Sequence, residues 1–253
     1  MSNQAKTVLA ALAHPDDAEF MCAGTLALLK RNGWDVHIAT MTPGDCGSAN
    51  LPREEISRVR KAEAAQAAAL LEGQYHCLEC DDVFILYDKP TLLNVIALIR
   101  RVRPTLVFAP SPCDYFADHE HTSRLVQTAC FACGVPNIST DEEPFDSIPW
   151  LYYVDPLEGK DQLGRAVEPT TLVNISDVMD LKEQMLCCHA SQRDWLMAHH
   201  GMDEYVEAMK RLAAQRGETI GCQYAEGFRQ HLGHAFPREN LLKMELKHLA
   251  TVS

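Results

Sequence analysis

Short apolar runs alternate with longer stretches of helical spacing through the first half of the chain. Residues 8–13, 35–42, 75–78 and 105–109 are compact apolar or β-branched runs bounded by turn residues, which predicts strands. Between them, 21–31, 53–71, 90–102 and 119–133 carry apolar side chains three and four apart, which predicts helices. Gly33 stands near the end of the first helix and Pro104 closes the third, while 43–52, rich in Gly, Asp, Ser and Asn, reads as a loop. Strictly alternating strands and helices imply an α/β fold, a Rossmann-like and mostly parallel sheet with helices on both faces. After Pro136 the pattern changes. Residues 137–149 are polar and acidic and read as a loop, 150–154 and 171–175 as strands, and 177–189 and 203–215 as helices. With no repeat, low-complexity tract or linker, the expectation is a single domain over 1–253.

Composition narrows the function classes. The 253 residues are 47% hydrophobic, ordinary for a globular protein, and no run approaches the ~18 apolar residues of a membrane helix. A formal charge of −12 argues against a nucleic-acid partner, which wants a basic surface. The first residues, Met-Ser-Asn-Gln-Ala-Lys, have no signal-peptide layout, so a cytoplasmic protein is expected. Ten cysteines include two Cys-x-x-Cys pairs, Cys77/Cys80 and Cys130/Cys133. The second pair falls on the apolar face of a helix, and the first lies where i and i+3 point to opposite sides of a strand. Both read as buried, reduced thiols rather than a zinc cage.

Candidate chemistry is concentrated after the first strand, where open α/β folds keep their sites. Pro15 biases His14 toward an extended conformation, so His14, Asp16 and Asp17 can aim at one point. An imidazole and a carboxylate are ligands that zinc accepts, and a second carboxylate is available as a base. A polar turn with an aspartate capping the next helix would need fewer ionisable groups than these three. No Gly-x-Gly-x-x-Gly follows the strand, so no dinucleotide is expected.

The run Ala13-His14-Pro15-Asp16-Asp17-Ala18-Glu19 resembles the signature of the LmbE/PIG-L-like zinc-dependent N-deacetylases, which remove acetyl groups from N-acetylglucosaminyl compounds. The resemblance implies zinc held by His14 and Asp17, with Asp16 as general base. The family's second motif, a His-Pro-Asp-His, corresponds to Phe116-Ala117-Asp118-His119, which makes His119 the third ligand. Arg60 with Glu63 and Ala64 resembles an Arg-x-x-Glu-Ala at a helix start, and Tyr224-Ala-Glu-Gly-Phe228 a further segment near the end. The metal-site half then spans about 1–135, with a modified C-terminal part over about 136–253.

One departure stands out. The first histidine of the second motif, which the family uses to polarise the acetyl carbonyl or protonate the leaving amine, is Phe116. A phenyl ring does neither. Replacement donors are His121, Tyr115, Tyr224, His231 and His234, with His231 and His234 ranked first because they follow the Tyr224 segment. Tyr224 is also the expected oxyanion donor, and Arg60, Asp118, Tyr115 and His121 are the expected substrate contacts. Asp118 has a second reading as a helix cap or as support behind a ligand, Arg60 as a helix-surface charge, and Tyr224 as a packing residue. His37 reads as structural, His76, His189 and His248 as surface or core residues, and His199-His200 as a helix end. The function expected is removal of the acetyl group from an N-acetyl amino sugar, with Zn2+ as cofactor, a small N-acetylated sugar as partner and homo-oligomerisation as an option. An altered sugar- or metal-binding relative, another metal-dependent amidase and a phosphoesterase are the alternatives.

Overall fold

A computed structural model describes residues 6–192 and 204–252. Strands β1 (Thr7–Leu12), β2 (Asp35–Thr40), β3 (Gln74–Cys77), β4 (Leu106–Ala109) and β5 (Trp150–Val154) lie side by side in the order β3-β2-β1-β4-β5, all parallel. The sheet continues without a break through β7 (Ala225–Gln230), β6 (Thr171–Asn174) and β8 (Ala250–Val252), each antiparallel to its neighbour. This is the α/β, mostly parallel architecture that the alternation predicts.

Strand periodicity explains the layering. Val8, Ala10 and Leu12 point into one core, whereas Leu9, Ala11 and Ala13 point into the other. The same split recurs in β4, with Leu106 and Phe108 on one side and Val107 and Ala109 on the other. Both faces are covered, so β1 and β4 are buried throughout and apolar apart from Thr7. Helices α4 (Lys89–Val102) and α5 (Ala117–Ala132) build one layer. Helices α1 (Asp17–Met21), α2 (Ala23–Arg31), α6 (Met179–Cys187), α7 (Glu204–Ile220) and α8 (Leu241–Leu246) contribute to the other, with the end of α3 (Arg53–Ala69). Asp88 caps α4 by accepting from the Thr91 amide at 2.9 Å.

Several boundaries differ from the periodicity. The helix expected from 21 breaks at Cys22 (φ −143°) into α1 and α2, and α7 runs on to Ile220 because its spacing continues past Gly217. β7 and β8 are unexpected; β7 carries Glu226 and Gly227 inside a strand, where β propensity is low. The helix end expected at His199 and His200 lies outside the described residues. All ten cysteines are free thiols, with Cys130 and Cys133 buried in and just after α5. Among the described residues no helix is long and apolar enough to cross a membrane.

Candidate metal centre and active site

The carboxyl ends of β1, β3, β4 and β5 share one edge of the sheet, and the loops leaving them meet there. After β1 the chain turns through residues 13–17 into α1. Asp16 sits in this turn at φ 104°, ψ −24°, a conformation that costs a non-glycine residue roughly 1–3 kcal/mol. Its neighbours hold it. Asp17 Oδ2 accepts from the amides of Ala13 (3.1 Å) and His14 (2.9 Å). Arg60 of α3 donates from Nη2 to the Pro15 carbonyl (2.7 Å) and to Asp16 Oδ2 (3.3 Å), and from Nη1 to the Gly44 carbonyl (3.3 Å). At Gly44 (φ 71°) a Cβ would come within 2.4 Å of Arg60 Nη1, so glycine is what lets the guanidinium in. The expectation that Arg60 binds substrate is corrected: it is buried and braces the loop from behind.

His14, Asp17 and His119 come together, with a donor atom from each within 4.8 Å of the others. His14 Nδ1 stands 3.3 Å from His119 Nε2 and 3.6 Å from Asp17 Oδ2, and His119 Nε2 is 3.5 Å from Asp17 Oδ1. The outward nitrogens are already engaged. His14 Nε2 faces Asp118 Oδ2 and Asp82 Oδ1, each at 3.1 Å, and His119 Nδ1 faces Asp114 Oδ1 at 3.0 Å. Carboxylates behind each imidazole fix the tautomer and leave the inner nitrogens with their lone pairs. Two such lone pairs and a carboxylate converging at this range repel one another unless a cation lies among them. Two imidazoles and one carboxylate, backed in this way, fit a zinc ion with an open position.

Electrostatics agree with a cation-seeking site. Burial opposes charge on His14, yet hydrogen bonds to Asp118, Asp17 and Asp82 lift its pKa well above the usual imidazole range. His119 is likewise raised against its burial by Asp17 and Asp114. Burial would raise the Asp17 pKa, but His119 and His14 hold it well below the usual carboxylate range. Asp118 is corrected from a substrate contact: it is 1% exposed, behind His14, and also accepts the Val83 amide at 2.8 Å.

Asp16 faces a cavity of about 260 Å³, at the small end for ligand pockets. Asp17, His119, Tyr115 and Tyr205 line it too, with Phe20, Met21 and Leu157 as apolar walls. The Tyr205 hydroxyl donates to Asp16 Oδ2 at 2.5 Å. Burial raises the Asp16 pKa, offset by Arg60 and His189. His189, read as a surface or core residue, is fully buried beside Glu19, with Nε2 3.3 Å from Glu19 Oε2. Glu63, the partner of Arg60 in its motif, accepts from the Ser191 amide (2.8 Å) and hydroxyl (2.6 Å), tying this segment to α3.

The other expected residues separate. Phe116 stacks on His14, and Tyr115 stands edge-on to His119 at the cavity, where substrate contact remains open to it. His121 turns away, its Nδ1 2.6 Å from the Ile85 carbonyl, so it anchors a loop. Tyr224 packs against the core outside the cavity lining. Its segment is a brace. Glu226 accepts from the Gly24 and Thr25 amides at the start of α2 (2.9 and 2.7 Å) and pairs with buried Lys182 (2.5 Å). At Gly227 a Cβ would fall 2.3 Å from Asp155 Oδ2. His231 and His234 are corrected by strand direction. β7 runs antiparallel to β5, pairing Phe228 with Val154 and Gln230 with Tyr152, and the His231 amide donates to the Leu151 carbonyl. At about 3.3 Å per residue the strand carries both histidines toward the opposite edge of the sheet. His231 there bonds the Tyr153 hydroxyl at 2.9 Å, and His234 is exposed in the following turn. Asp82, Asp114 and Tyr205 were not assigned roles from sequence. Asp114 carried a signal, standing five residues before a ligand and just after an apolar run; Asp82 and Tyr205 carried none.

Comparison with known proteins agrees with this geometry. The family model for GlcNAc-PI de-N-acetylase, PIG-L, matches residues 9–130. Diacetylchitobiose deacetylase of Thermococcus kodakarensis is 26% identical over 90% of this chain and 84% of its own length. The 4-oxalmesaconate hydratase of Pseudomonas putida is 27% identical over 95% and 94%. The solved N,N'-diacetylchitobiose deacetylase of Pyrococcus horikoshii superposes with a TM-score of 0.78 at 27% identity, covering 94% of this chain and 89% of the other. Motif, fold and relatives coincide: residues 9–130 match the PIG-L family domain, and the chain is similar over most of its length to deacetylases of the LmbE/PIG-L kind.

Proposed function

We propose that the chain is a zinc-dependent N-deacetylase acting on a small N-acetylglucosaminyl compound, with the whole of 1–253 as its catalytic domain. The observation that carries this reading is the convergence of His14, Asp17 and His119 beside a second, non-ligating carboxylate, Asp16, at the floor of a small cavity. His14 Nδ1, Asp17 and His119 Nε2 would hold the ion, which when bound supplies Lewis acidity toward water and the acetyl carbonyl. Asp16 takes the proton from water. Tyr205 and Arg60 engage its Oδ2, so Oδ1 is the oxygen turned to the reaction. Phe20, Met21 and Leu157 exclude solvent from the acetyl side, and Tyr115 offers a ring face to the sugar.

The test is metal analysis of the purified chain combined with acetate release from several N-acetylglucosaminides. About one zinc per chain and metal-dependent acetate release support the reading; metal-independent release, or none from any substrate, rejects it. A second reading, a hydratase, is favoured by the equal similarity to the Pseudomonas enzyme together with Phe116, since hydration releases no amine to protonate. Consumption of 4-oxalmesaconate without acetate release from any N-acetyl sugar would select it.

A further inference from the structure

We propose that Tyr205 donates the proton to the departing amine, the task for which the family's second motif offers a histidine and this chain only Phe116. The inference rests on the deacetylase reading and adds a residue to it. Among the described residues, Tyr205 and Arg60 are the side chains that hydrogen-bond Asp16 Oδ2. Arg60 is buried behind the loop and its guanidinium does not give up a proton. Tyr205 differs on both counts. It lines the cavity with Asp17 and His119, and its phenol both donates and accepts. Its ring packs on Phe20, centroids 6.1 Å apart, so the hydroxyl is held at the cavity wall. Four of the donors expected from sequence fall away on position: His121 is engaged with Ile85, His231 and His234 run to the far edge, and Tyr224 lies outside the lining. Tyr115 does line the cavity, but it is exposed and it is Tyr205 that is hydrogen-bonded to Asp16, from which its proton can be replaced. Burial and the adjacent Asp16 carboxylate keep the Tyr205 phenol protonated across the working pH range.

The proton count closes. Water loses one proton to Asp16 as its oxygen bonds the acetyl carbon. As the C–N bond breaks and its electron pair goes to nitrogen, the nitrogen takes the Tyr205 hydroxyl proton. Asp16 then returns its proton to the Tyr205 oxygen along the 2.5 Å hydrogen bond. Both groups end as they began, and the products are acetic acid and the free amine, which leave as acetate and ammonium once the acid's proton passes to the amine.

The experiment compares wild type with Tyr205→Phe, which keeps the ring and its packing, on two substrates. One is an N-acetylglucosaminide, whose amine must be protonated to leave. The other is 4-nitrophenyl acetate, whose nitrophenolate leaves without a proton. The expected result is unchanged metal content, KM for the amide within about threefold, amide kcat lower by roughly 10²–10³-fold, and an ester rate within about threefold. Equal losses on both substrates, a rise in KM alone, loss of metal, or an unchanged amide kcat would each overturn the assignment. Wild type that releases no acetate from any N-acetyl sugar defeats the deacetylase reading itself. Active wild type with an unselective variant defeats only the role of Tyr205.

Discussion

The ring of Phe116 lies flat against the imidazole of His14, centroids 5.2 Å apart and planes 10° from parallel. The family's motif offers a histidine here; this chain has an apolar plate covering one face of a metal-site imidazole. Tyr115 stacks next to it at 5.9 Å. Phe116 sets an apolar face against His14 and removes a donor from that flank, while Tyr115 beside it is exposed. On the deacetylase reading proposed above, α7 brings the donor, Tyr205, to the cavity that Asp16 lines.

The carboxylates behind the imidazoles are expected to set metal affinity. Asp118→Asn keeps an acceptor for His14 Nε2 but removes its charge, and Asp114→Asn does the same for His119. Each should weaken zinc binding by roughly 10–100-fold, read by competition with a chromogenic chelator. His14→Ala removes a donor atom and should abolish stoichiometric binding. Wild-type affinity in all three variants would place the ion elsewhere.

Asp16→Asn separates binding from chemistry. The amide fits the same space and still accepts from Tyr205 and Arg60, so metal content should stay near wild type. Turnover should fall by roughly 10²–10⁴-fold, because an amide does not take a proton from water. Near-normal turnover in this variant would mean another base.

The parts of this site legible in the sequence share a cause. His14, Asp16 and Asp17 lie within four residues just after β1, and His119 follows β4, which pairs with β1 in parallel, so the sheet alone brings them to one edge. Tyr205 reaches Asp16 across 189 residues of chain, from a helix whose amphipathic pattern makes any aromatic look like core. Asp82 sits in a loop with ordinary polar composition, and only the placement of β3 beside β2 aims it at His14. His231 and His234 misled for a topological reason. Proximity in sequence to Tyr224 implies proximity in space only if the chain turns there, and instead it enters β7 and leaves.

Away from the site, His37 Nδ1 and His76 Nε2 meet at 2.9 Å across β2 and β3. Burial, then His37 and Arg101, holds the His76 pKa down to about 4. An unfolded chain takes up this proton below about pH 6.5 while the folded chain refuses it until about pH 4, so the pair's contribution is complete above pH 6.5 and is lost as pH falls through that window. His76→Gln should therefore show a smaller drop in Tm between pH 7.5 and pH 4.5 than wild type. An equal drop in both proteins would mean that His76 titrates normally.

Restoring the family's histidine tests the division of labour between the two walls of the cavity. If Tyr205 supplies the proton because Phe116 does not, the two positions are alternatives for one task, and their substitutions should not be additive. Phe116→His alone puts a second donor beside an existing one and should change amide turnover by less than about tenfold. In the Tyr205→Phe background the same substitution should recover at least about tenfold of the lost kcat, because an imidazole stacked where Phe116 lies on His14 stands beside the metal-site histidine and has a pKa suited to donating near neutrality. The recovered activity should also decline as pH rises through the imidazole range, a limb absent from wild type. Additive losses in the double variant, with metal content intact, would show that the histidine position and Tyr205 do not serve the same step.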